Sequence, residues 1–118
     1  MLPRARRTAT RANGLGAAAP VFAALGDETR LRLVARLSTG GPASIAGLAS
    51  GETVSRQAVT KHLEVLAQAG LARSQRRGRE RVWALERRRF DDAREWLAGL
   101  SAQWDEALGR LQAMVERP

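Results

Sequence analysis

The chain contains no cysteine and no tyrosine, and among its 118 residues there is one histidine, His62, and one lysine, Lys61. The absence of cysteine excludes a disulfide framework, a thiolate zinc site, an iron–sulfur cluster and a cysteine nucleophile. No run of about eighteen apolar residues occurs, which excludes a membrane-spanning helix. A chain of this length is expected to form one soluble domain with a modest core of its own.

Arginine is the residue that the chain has in abundance. All of the 20 basic residues except Lys61 are arginine, and against 12 acidic residues they give a net charge of +8. The charge is clustered, because residues 1–11 carry +4 and residues 73–89 carry +6, whereas residues 90–118 carry −3. A surface that only keeps a protein in solution mixes both signs, so this clustering indicates a polyanionic partner.

The first segment, residues 1–17, has no apolar periodicity and is predicted to form a flexible basic arm. A targeting signal is the alternative, since Arg6 and Arg7 precede a mildly apolar run. That run consists mostly of alanine and glycine, contains Pro20 and lacks the strong apolar core of an export signal. We therefore expect a cytoplasmic protein.

Residues 18–86 show the pattern of a winged helix-turn-helix domain. A short helix is predicted over residues 18–25, and Asp27 is a suitable N-cap for a second helix with Leu31, Val34 and Leu37 on one apolar face. A short helix over residues 43–50 and a longer one after Ser55 complete the helical part.

The longer helix is expected to end at Gly70, a residue suited to a left-handed C-terminal cap. Two runs with strand-like alternation then flank Arg77 and Gly78, which predicts a β-hairpin with a tight, arginine-rich tip. The predicted fold class is therefore mainly α with a small β-hairpin, followed by a long C-terminal dimerisation helix.

The helix after Ser55 has two different faces. Val59, Leu63 and Leu66 are spaced to face a core, whereas amide, hydroxyl and basic groups lie opposite. In a helix-turn-helix protein that polar face enters the major groove, and the hairpin arginines bind phosphates or a minor groove. The predicted DNA-binding residues are Ser55, Arg56, Gln57, Thr60, Lys61 and His62 on the helix and Arg76, Arg77, Arg79 and Arg81 on the hairpin.

Residues 87–118 are predicted to form the dimerisation helix, which also packs with the N-terminal helix. Two series of apolar residues recur every seven positions, Phe90, Leu97, Trp104 and Leu111 in one and Ala93, Leu100, Ala107 and Met114 in the other. A small domain cannot easily cover so long a stripe alone, which favours a homodimer over packing within one chain. The predicted dimerisation residues are Phe22, Phe90, Leu97, Leu100, Trp104 and Leu111.

Two segments, VFAALGDETRLRLVARL and SRQAVTKHLEVLAQAGLARSQRRGRERVWAL, resemble the ArsR/SmtB family of bacterial transcriptional repressors over about residues 20–86. The resemblance implies a homodimer that binds a palindromic operator near its own promoter and leaves DNA when an effector binds. Glu28 stands where the family often has proline, and an acid in the first turn suits the helix dipole equally well.

The metal ligands of this family are absent. Many members use a Cys-x-Cys pair, and the matching positions here hold Ser44 and Ala46; others use histidine on the final helix, which has none. We therefore predict no metal site and no cofactor, and the composition excludes thiol-based sensing. Asp91 and Glu95 form a carboxylate pair that is expected to face water. A small-molecule effector stays open, since the few aromatic side chains suit either a pocket or an interface.

The predicted function is a dimeric, sequence-specific DNA-binding transcriptional regulator that acts as a repressor on an operator in double-stranded DNA. An RNA- or ribosome-associated protein and a protein-interaction module are the alternatives. RNA binding is disfavoured because the chain has no tyrosine and its few aromatic residues are expected to lie off the basic surfaces, where stacking on bases would need them. An enzyme is not expected, since one histidine without clustered carboxylates builds no convincing catalytic site.

Overall fold

A computed structural model describes residues 15–117, which form five α-helices and a three-stranded antiparallel sheet. In chain order the elements are α1 Leu15–Leu25, α2 Glu28–Gly40, β1 Ala43–Ser44, α3 Ile45–Ala49, α4 Arg56–Gln68, β2 Ala72–Arg77, β3 Glu80–Leu85 and α5 Arg87–Val115. The predicted fold class, mainly helical with a hairpin wing and a long C-terminal helix, is confirmed. Within the described residues, none of the helices combines the length and apolarity needed to cross a membrane.

The first helix begins earlier than the sequence predicted. α1 starts at Leu15 rather than at residue 18, so residues 15–17, predicted to belong to the basic arm, are helical. Alanine and leucine have high helix propensity, and burial of Ala18, Val21 and Ala24 holds the helix in place. The rest of the predicted arm, residues 1–14, lies outside the described residues.

The predicted N-caps of the two principal helices are confirmed. Asp27 caps α2, where its Oδ2 accepts a hydrogen bond of 3.0 Å from the backbone N–H of Arg30. Ser55 caps α4, where its Oγ accepts one of 3.1 Å from the backbone N–H of Ala58. Each cap satisfies a donor that the first turn of a helix leaves unpaired.

The end of α4 also has the predicted geometry. Gly70 adopts a φ of 80°, its N–H donates to the Ala67 carbonyl, and the N–H of Leu71 donates to the Leu66 carbonyl, both at 2.9 Å. This pair of bonds defines a Schellman motif, in which glycine takes the left-handed position. The chain thereby reverses out of α4 directly into β2.

The wing, residues 72–85, is the predicted hairpin. β2 and β3 pair from Ala72↔Leu85 to Arg77↔Glu80, and Gly78, with a φ of 61°, opens the turn between them. The sheet also contains β1, which pairs with the other edge of β3. The sequence predicted a helix over residues 43–50, but Ala43 and Ser44 form β1 and the helix begins at Ile45, because a two-residue strand is too short to show an alternating pattern.

The core lies beneath the helix-turn-helix elements and is shared by every one of them. Its largest fully buried side chains are Val21, Leu33, Leu48, Val59, Leu63, Leu66 and Leu71. One prediction for α2 is wrong, because Leu31 is 49% exposed whereas Leu33 is fully buried. Residues two positions apart lie on nearly opposite sides of a helix, so only one of the two leucines can face the core.

α5 begins at Arg87, where the C-terminal helix was predicted to start, and it leaves most of its apolar residues exposed. Ala93 is its buried residue, and Trp96 packs edge-on against Phe22 of α1 with ring centroids 5.7 Å apart. Beyond this contact the large apolar side chains are 36–75% exposed, namely Leu97, Leu100, Trp104, Leu108, Leu111, Met114 and Val115. We call these seven residues the α5 stripe.

Candidate nucleic-acid interface

The polar face of α4 points away from the protein core. Val59, Leu63 and Leu66 have no exposed surface and fix the orientation of the helix. Gln57 and Lys61 lie on the opposite side and are exposed, as are Glu64 and Gln68 further along. Side chains at these positions are free to enter a groove without disturbing the packing beneath them.

Ser55, Arg56 and Thr60 occupy the N-terminal end of the same helix. Ser55 and Arg56 are exposed, whereas Thr60 is half-buried. The hydroxyl of Thr60 donates to the Arg56 carbonyl at 2.9 Å, so its proton is used within the helix and its oxygen is left as an acceptor. These three residues therefore flank the exposed pair formed by Gln57 and Lys61.

His62 is not brought together with the other predicted DNA-binding residues. Its side chain is 23% exposed, and its Nδ1 lies 3.1 Å from Nη1 of Arg30 and 3.8 Å from Oδ2 of Asp27. Since a guanidinium only donates, Nδ1 accepts this bond, and Arg30 also donates to the Ala24 carbonyl. His62 thus ties α4 to the junction between α1 and α2.

The angular position of His62 on α4 explains why its side chain lies apart from the polar face. At about 100° per residue, His62 lies roughly 140° around the helix from Gln57, closer to the buried side than to the polar face. A contact from His62 to DNA stays a prediction. In this structure its Nδ1 accepts a hydrogen bond from Arg30 and so helps to hold α4 in place.

An ion pair between the buried carboxylate of Glu52 and the partly exposed Arg32 holds the turn of the helix-turn-helix, and no sequence pattern predicted it. The Glu52 side chain is 1% exposed, and its Oε1 accepts from Nε of Arg32 at 3.1 Å and lies 3.0 Å from Nη2. The same guanidinium contacts Glu28 of α2 at 2.6 Å, and the hydrogen bond to Glu52 raises the pKa of Arg32 above its ordinary value. The turn before α4 is therefore anchored to α2.

Arg36 anchors the preceding helix in a similar way. Its guanidinium donates to the carbonyls of Leu48 and Gly47, the latter at 2.8 Å. Both carbonyls lie in the short helix α3, and that of Gly47 also accepts a hydrogen bond of 2.8 Å from the hydroxyl of Ser50. Arg32 and Arg36 together fix α3 and the following turn against α2, and so define where α4 begins.

The wing carries five arginines but only one acidic residue, Glu80, which lies opposite Arg77. Arg76 lies directly opposite Arg81 in the strand register, and Nη1 of Arg81 donates to Ser74 at 2.7 Å. In the described part of the chain, the ion pairs within 4.0 Å involve none of Arg76, Arg77, Arg79 and Arg81. Like charges facing each other across strands are destabilising. A bound polyanion would relieve that repulsion.

The wing and α4 form one continuous unit. Leu71 and Ala72 connect the end of α4 to β2, and both are buried in the same core as Leu63 and Leu66. The backbone N–H of Glu86, just after the wing, also donates to the Leu71 carbonyl at 2.8 Å. The polar face of α4 and the basic wing are consequently held at a fixed relation to each other.

The predicted dimerisation residues fall into two groups. Leu97, Leu100, Trp104 and Leu111 belong to the exposed α5 stripe. Phe90 is half-buried and packs against the core, while Phe22, 36% exposed, contacts Trp96 of the same chain. The stripe therefore presents four of the six as a continuous apolar surface.

Two acidic residues near the start of α5 form ion pairs with neighbouring arginines. Asp91 Oδ1 lies 3.6 Å from Nε of Arg87, and Asp92 Oδ2 lies 3.2 Å from Nη1 of Arg89. Across residues 15–117, no group of three or more histidine, aspartate or glutamate side chains is placed to hold a metal ion.

Comparison with known proteins identifies relatives that share both sequence and fold. A family described as a helix-turn-helix domain matches residues 25–75. The uncharacterized HTH-type transcriptional regulator YuzN of Bacillus subtilis (strain 168) is 38% identical over 68 residues, which cover 52% of this chain and 74% of the relative.

Solved structures extend the match to the long helix. An ArsR-like transcriptional regulator from Rhodococcus sp. RHA1 superimposes with a TM-score of 0.74 at 34% identity, covering 87% of this chain and 96% of that protein. A homodimeric winged helix-turn-helix DNA-binding domain from Mycobacterium bovis, solved by NMR and described as a possible ArsR-family regulator, has a TM-score of 0.59 at 22% identity. The match covers 86% of this chain and 90% of the Mycobacterium fragment, and it shows a common fold.

Proposed function

The chain belongs to the ArsR family of helix-turn-helix transcriptional regulators, and from this premise we propose that it is a homodimeric repressor that binds a palindromic DNA operator. The observation that carries the proposal is the union of an exposed polar helix face with a wing on which Arg76, Arg77, Arg79 and Arg81 form no ion pair within the described residues. The first supplies groups that distinguish base pairs, and the second supplies charge that attracts any DNA sequence.

Base recognition is assigned to the exposed residues of α4. A glutamine side chain can pair with adenine through two hydrogen bonds, and a lysine ammonium can donate to the acceptors of guanine. We assign these roles to Gln57 and Lys61, with Ser55, Arg56 and Thr60 beside them at the phosphate backbone or at flanking bases.

Phosphate binding is assigned to the wing. The guanidinium groups of Arg76, Arg77, Arg79 and Arg81 lack carboxylate partners within the described residues, so little competes with phosphate for them. Displaced counterions would make the affinity fall steeply as salt concentration rises. The wing should therefore contribute affinity for all sequences alike.

The dimer is assigned to the α5 stripe. Exposed apolar surface of this extent on a small protein marks an interaction site, and a second α5 would cover it in a two-fold arrangement. The homodimeric state of the Mycobacterium domain supports this assignment. Two copies of α4 would then contact half-sites about one helical turn apart, roughly 34–36 Å centre to centre.

Selection from fragmented genomic DNA tests the proposal directly. Fragments retained by the purified full-length chain at moderate salt should be enriched in one palindromic sequence, and a reporter with that sequence in its promoter should be expressed less when the protein is present. Retention without an enriched sequence, or displacement of DNA by structured RNA at equal concentration, would contradict the proposal.

Two substitutions separate base recognition from phosphate binding. Gln57→Ala should reduce discrimination between operator and scrambled duplex by about 1–3 kcal/mol, with Gln112→Ala on α5 as the control. Arg77→Ala should weaken binding to both duplexes equally and lower the salt slope by about one, with Arg110→Ala as the control. Full discrimination by the Gln57→Ala protein would show that α4 is not the recognition helix.

Two further expectations belong to the proposal. A regulator of this kind acts in the cytoplasm, where it meets the chromosome. It also needs no catalytic activity, because its output is occupancy of DNA.

A further inference from the structure

An open cavity of about 710 Å³ lies where α2, the sheet and the first turns of α5 meet. Its apolar wall is formed by Val34 and Leu37 of α2, Leu85 of β3 and Phe90 of α5. Val34, Leu85 and Phe90 are only partly buried, so the cavity exposes apolar surface that the chain itself leaves uncovered. Its size lies within the range of about 300–1,000 Å³ that is typical of small-molecule sites.

Three charged side chains of α5 also line the cavity, namely Arg87, Asp91 and Arg94. They lie within two turns on one side of the helix, and Nε of Arg87 is 3.6 Å from Oδ1 of Asp91. Arg94 has no hydrogen-bond acceptor or carboxylate partner among residues 15–117. The lining therefore combines an apolar wall with one uncompensated positive charge.

We propose that this cavity binds a small amphipathic monocarboxylic acid, such as an arylalkanoic acid. The carboxylate pairs with the guanidinium of Arg94, and the apolar body lies against Val34, Leu85 and Phe90. The basic N-terminal residues are unsuitable as an occupant, because residues 1–11 carry a charge of +4 and would be repelled by the cavity's arginines.

The position of the cavity lets such a ligand change the affinity for the operator. This regulatory effect rests on the proposed function, whereas binding of the ligand does not. Leu85 belongs to the wing, whereas Phe90 and Arg94 belong to the helix that carries the α5 stripe. A ligand that contacts both stabilises one arrangement of wing and α5. At saturating ligand, the operator affinity then changes by a factor equal to the ratio of the ligand's affinities for the DNA-bound and the free protein.

Calorimetric titration of the full-length chain without DNA tests the site. 3-Phenylpropionate should bind saturably at one site per chain, and its neutral amide at least about tenfold more weakly, since the amide lacks the charge that pairs with Arg94. Arg94→Gln should remove most of this difference by weakening the acid about tenfold, whereas Arg110→Gln, elsewhere on α5, should leave both affinities unchanged. Ser38→Phe, which fills the cavity from an exposed position of α2, should abolish binding of both compounds.

Three results would overturn the proposal: no saturable binding of 3-phenylpropionate up to about 10 mM, equal affinity for the acid and the amide, or an unchanged acid affinity in the Arg94→Gln protein. Circular dichroism of each variant confirms that a loss of binding is not a loss of fold. Because this titration contains no DNA, its failure is distinguishable from failure of operator binding, which the genomic selection measures separately.

Discussion

The helix-turn-helix unit and the α5 stripe differ in whether their large apolar side chains are buried. Leu33, Leu48, Leu63 and Leu66 are at most 1% exposed, whereas the residues of the α5 stripe are 36–75% exposed. The first region completes its core with side chains of one chain. The second repeats an apolar pattern over several turns and finds no covering surface in the same chain, which is how a helix built for a partner helix differs from one built for a core.

The largest effect is expected from a cavity in the core. Leu63→Ala should lower the free energy of unfolding by about 2–5 kcal/mol, because the truncated side chain leaves a void among fully buried neighbours. Urea denaturation followed by circular dichroism measures this. Leu111→Ala is the matched control on the stripe, and it should cost less than about 1 kcal/mol under conditions that keep the chain monomeric. Equal costs for the two variants would remove the contrast between the regions.

The second prediction concerns the stripe itself. Trp104 is 60% exposed in a single chain, so Trp104→Ala should leave the monomer folded and weaken the proposed dimer by about 2–4 kcal/mol, as for a central aromatic anchor. Sedimentation equilibrium across a concentration series measures the change. Glu106→Ala, on the other side of α5, serves as the control. A wild-type chain that stays monomeric at every concentration would refute the role assigned to the stripe.

The third prediction compares a buried carboxylate with an exposed one, both paired with Arg32. Glu52→Gln should destabilise the fold by about 1–2 kcal/mol, since a neutral amide replaces a carboxylate that is 1% exposed and paired with Arg32. Glu28→Gln removes a carboxylate from the same guanidinium at an 88% exposed position and should cost less than about 0.5 kcal/mol. Thermal unfolding of both variants measures the difference. A reversed order would mean that the turn before α4 does not depend on this ion pair.

The smallest predicted effect is a loss of folding stability at low pH that depends on Asp27. The backbone N–H of Arg30 holds the pKa of Asp27 below its ordinary value of 3.8. A carboxylate whose pKa is lowered by folding stabilises the fold above its unfolded pKa and loses that contribution as the pH falls through its folded pKa. The wild type should therefore lose more stability below about pH 4 than Asp27→Asn, whose amide oxygen accepts the same bond at every pH. Parallel slopes in urea titrations from pH 6 to pH 2 would contradict this.

Features encoded within a few neighbouring residues could be predicted from the sequence. Asp27 and Ser55 cap their helices, Gly70 ends α4, and the wing turns at Gly78, because caps and turns depend on local backbone chemistry. The alternation of Val59, Leu63 and Leu66 with polar residues likewise determined which face of α4 is buried.

Features that depend on distant partners could not be predicted. The bond between Arg32 and Glu52 joins residues 20 positions apart, and that between Arg30 and His62 spans 32. Nothing in the composition of either segment specifies its partner. The burial of Leu33 rather than Leu31 could not be predicted either, because each leucine fits an apolar face of α2 and only the packing of α2 against the other elements decides between them.

The order of the sheet has a consequence for solubility. β3 lies in the centre, with β1 along part of one side, so among the described strands β2 has a long open edge. An open edge invites pairing with the edge of another molecule, and natural proteins prevent this with charged side chains. Arg73, Arg76 and Arg77 place like charges along β2. Two such edges would repel each other, so the arginines that we assign to phosphate binding would also oppose edge-to-edge strand pairing when no DNA is bound.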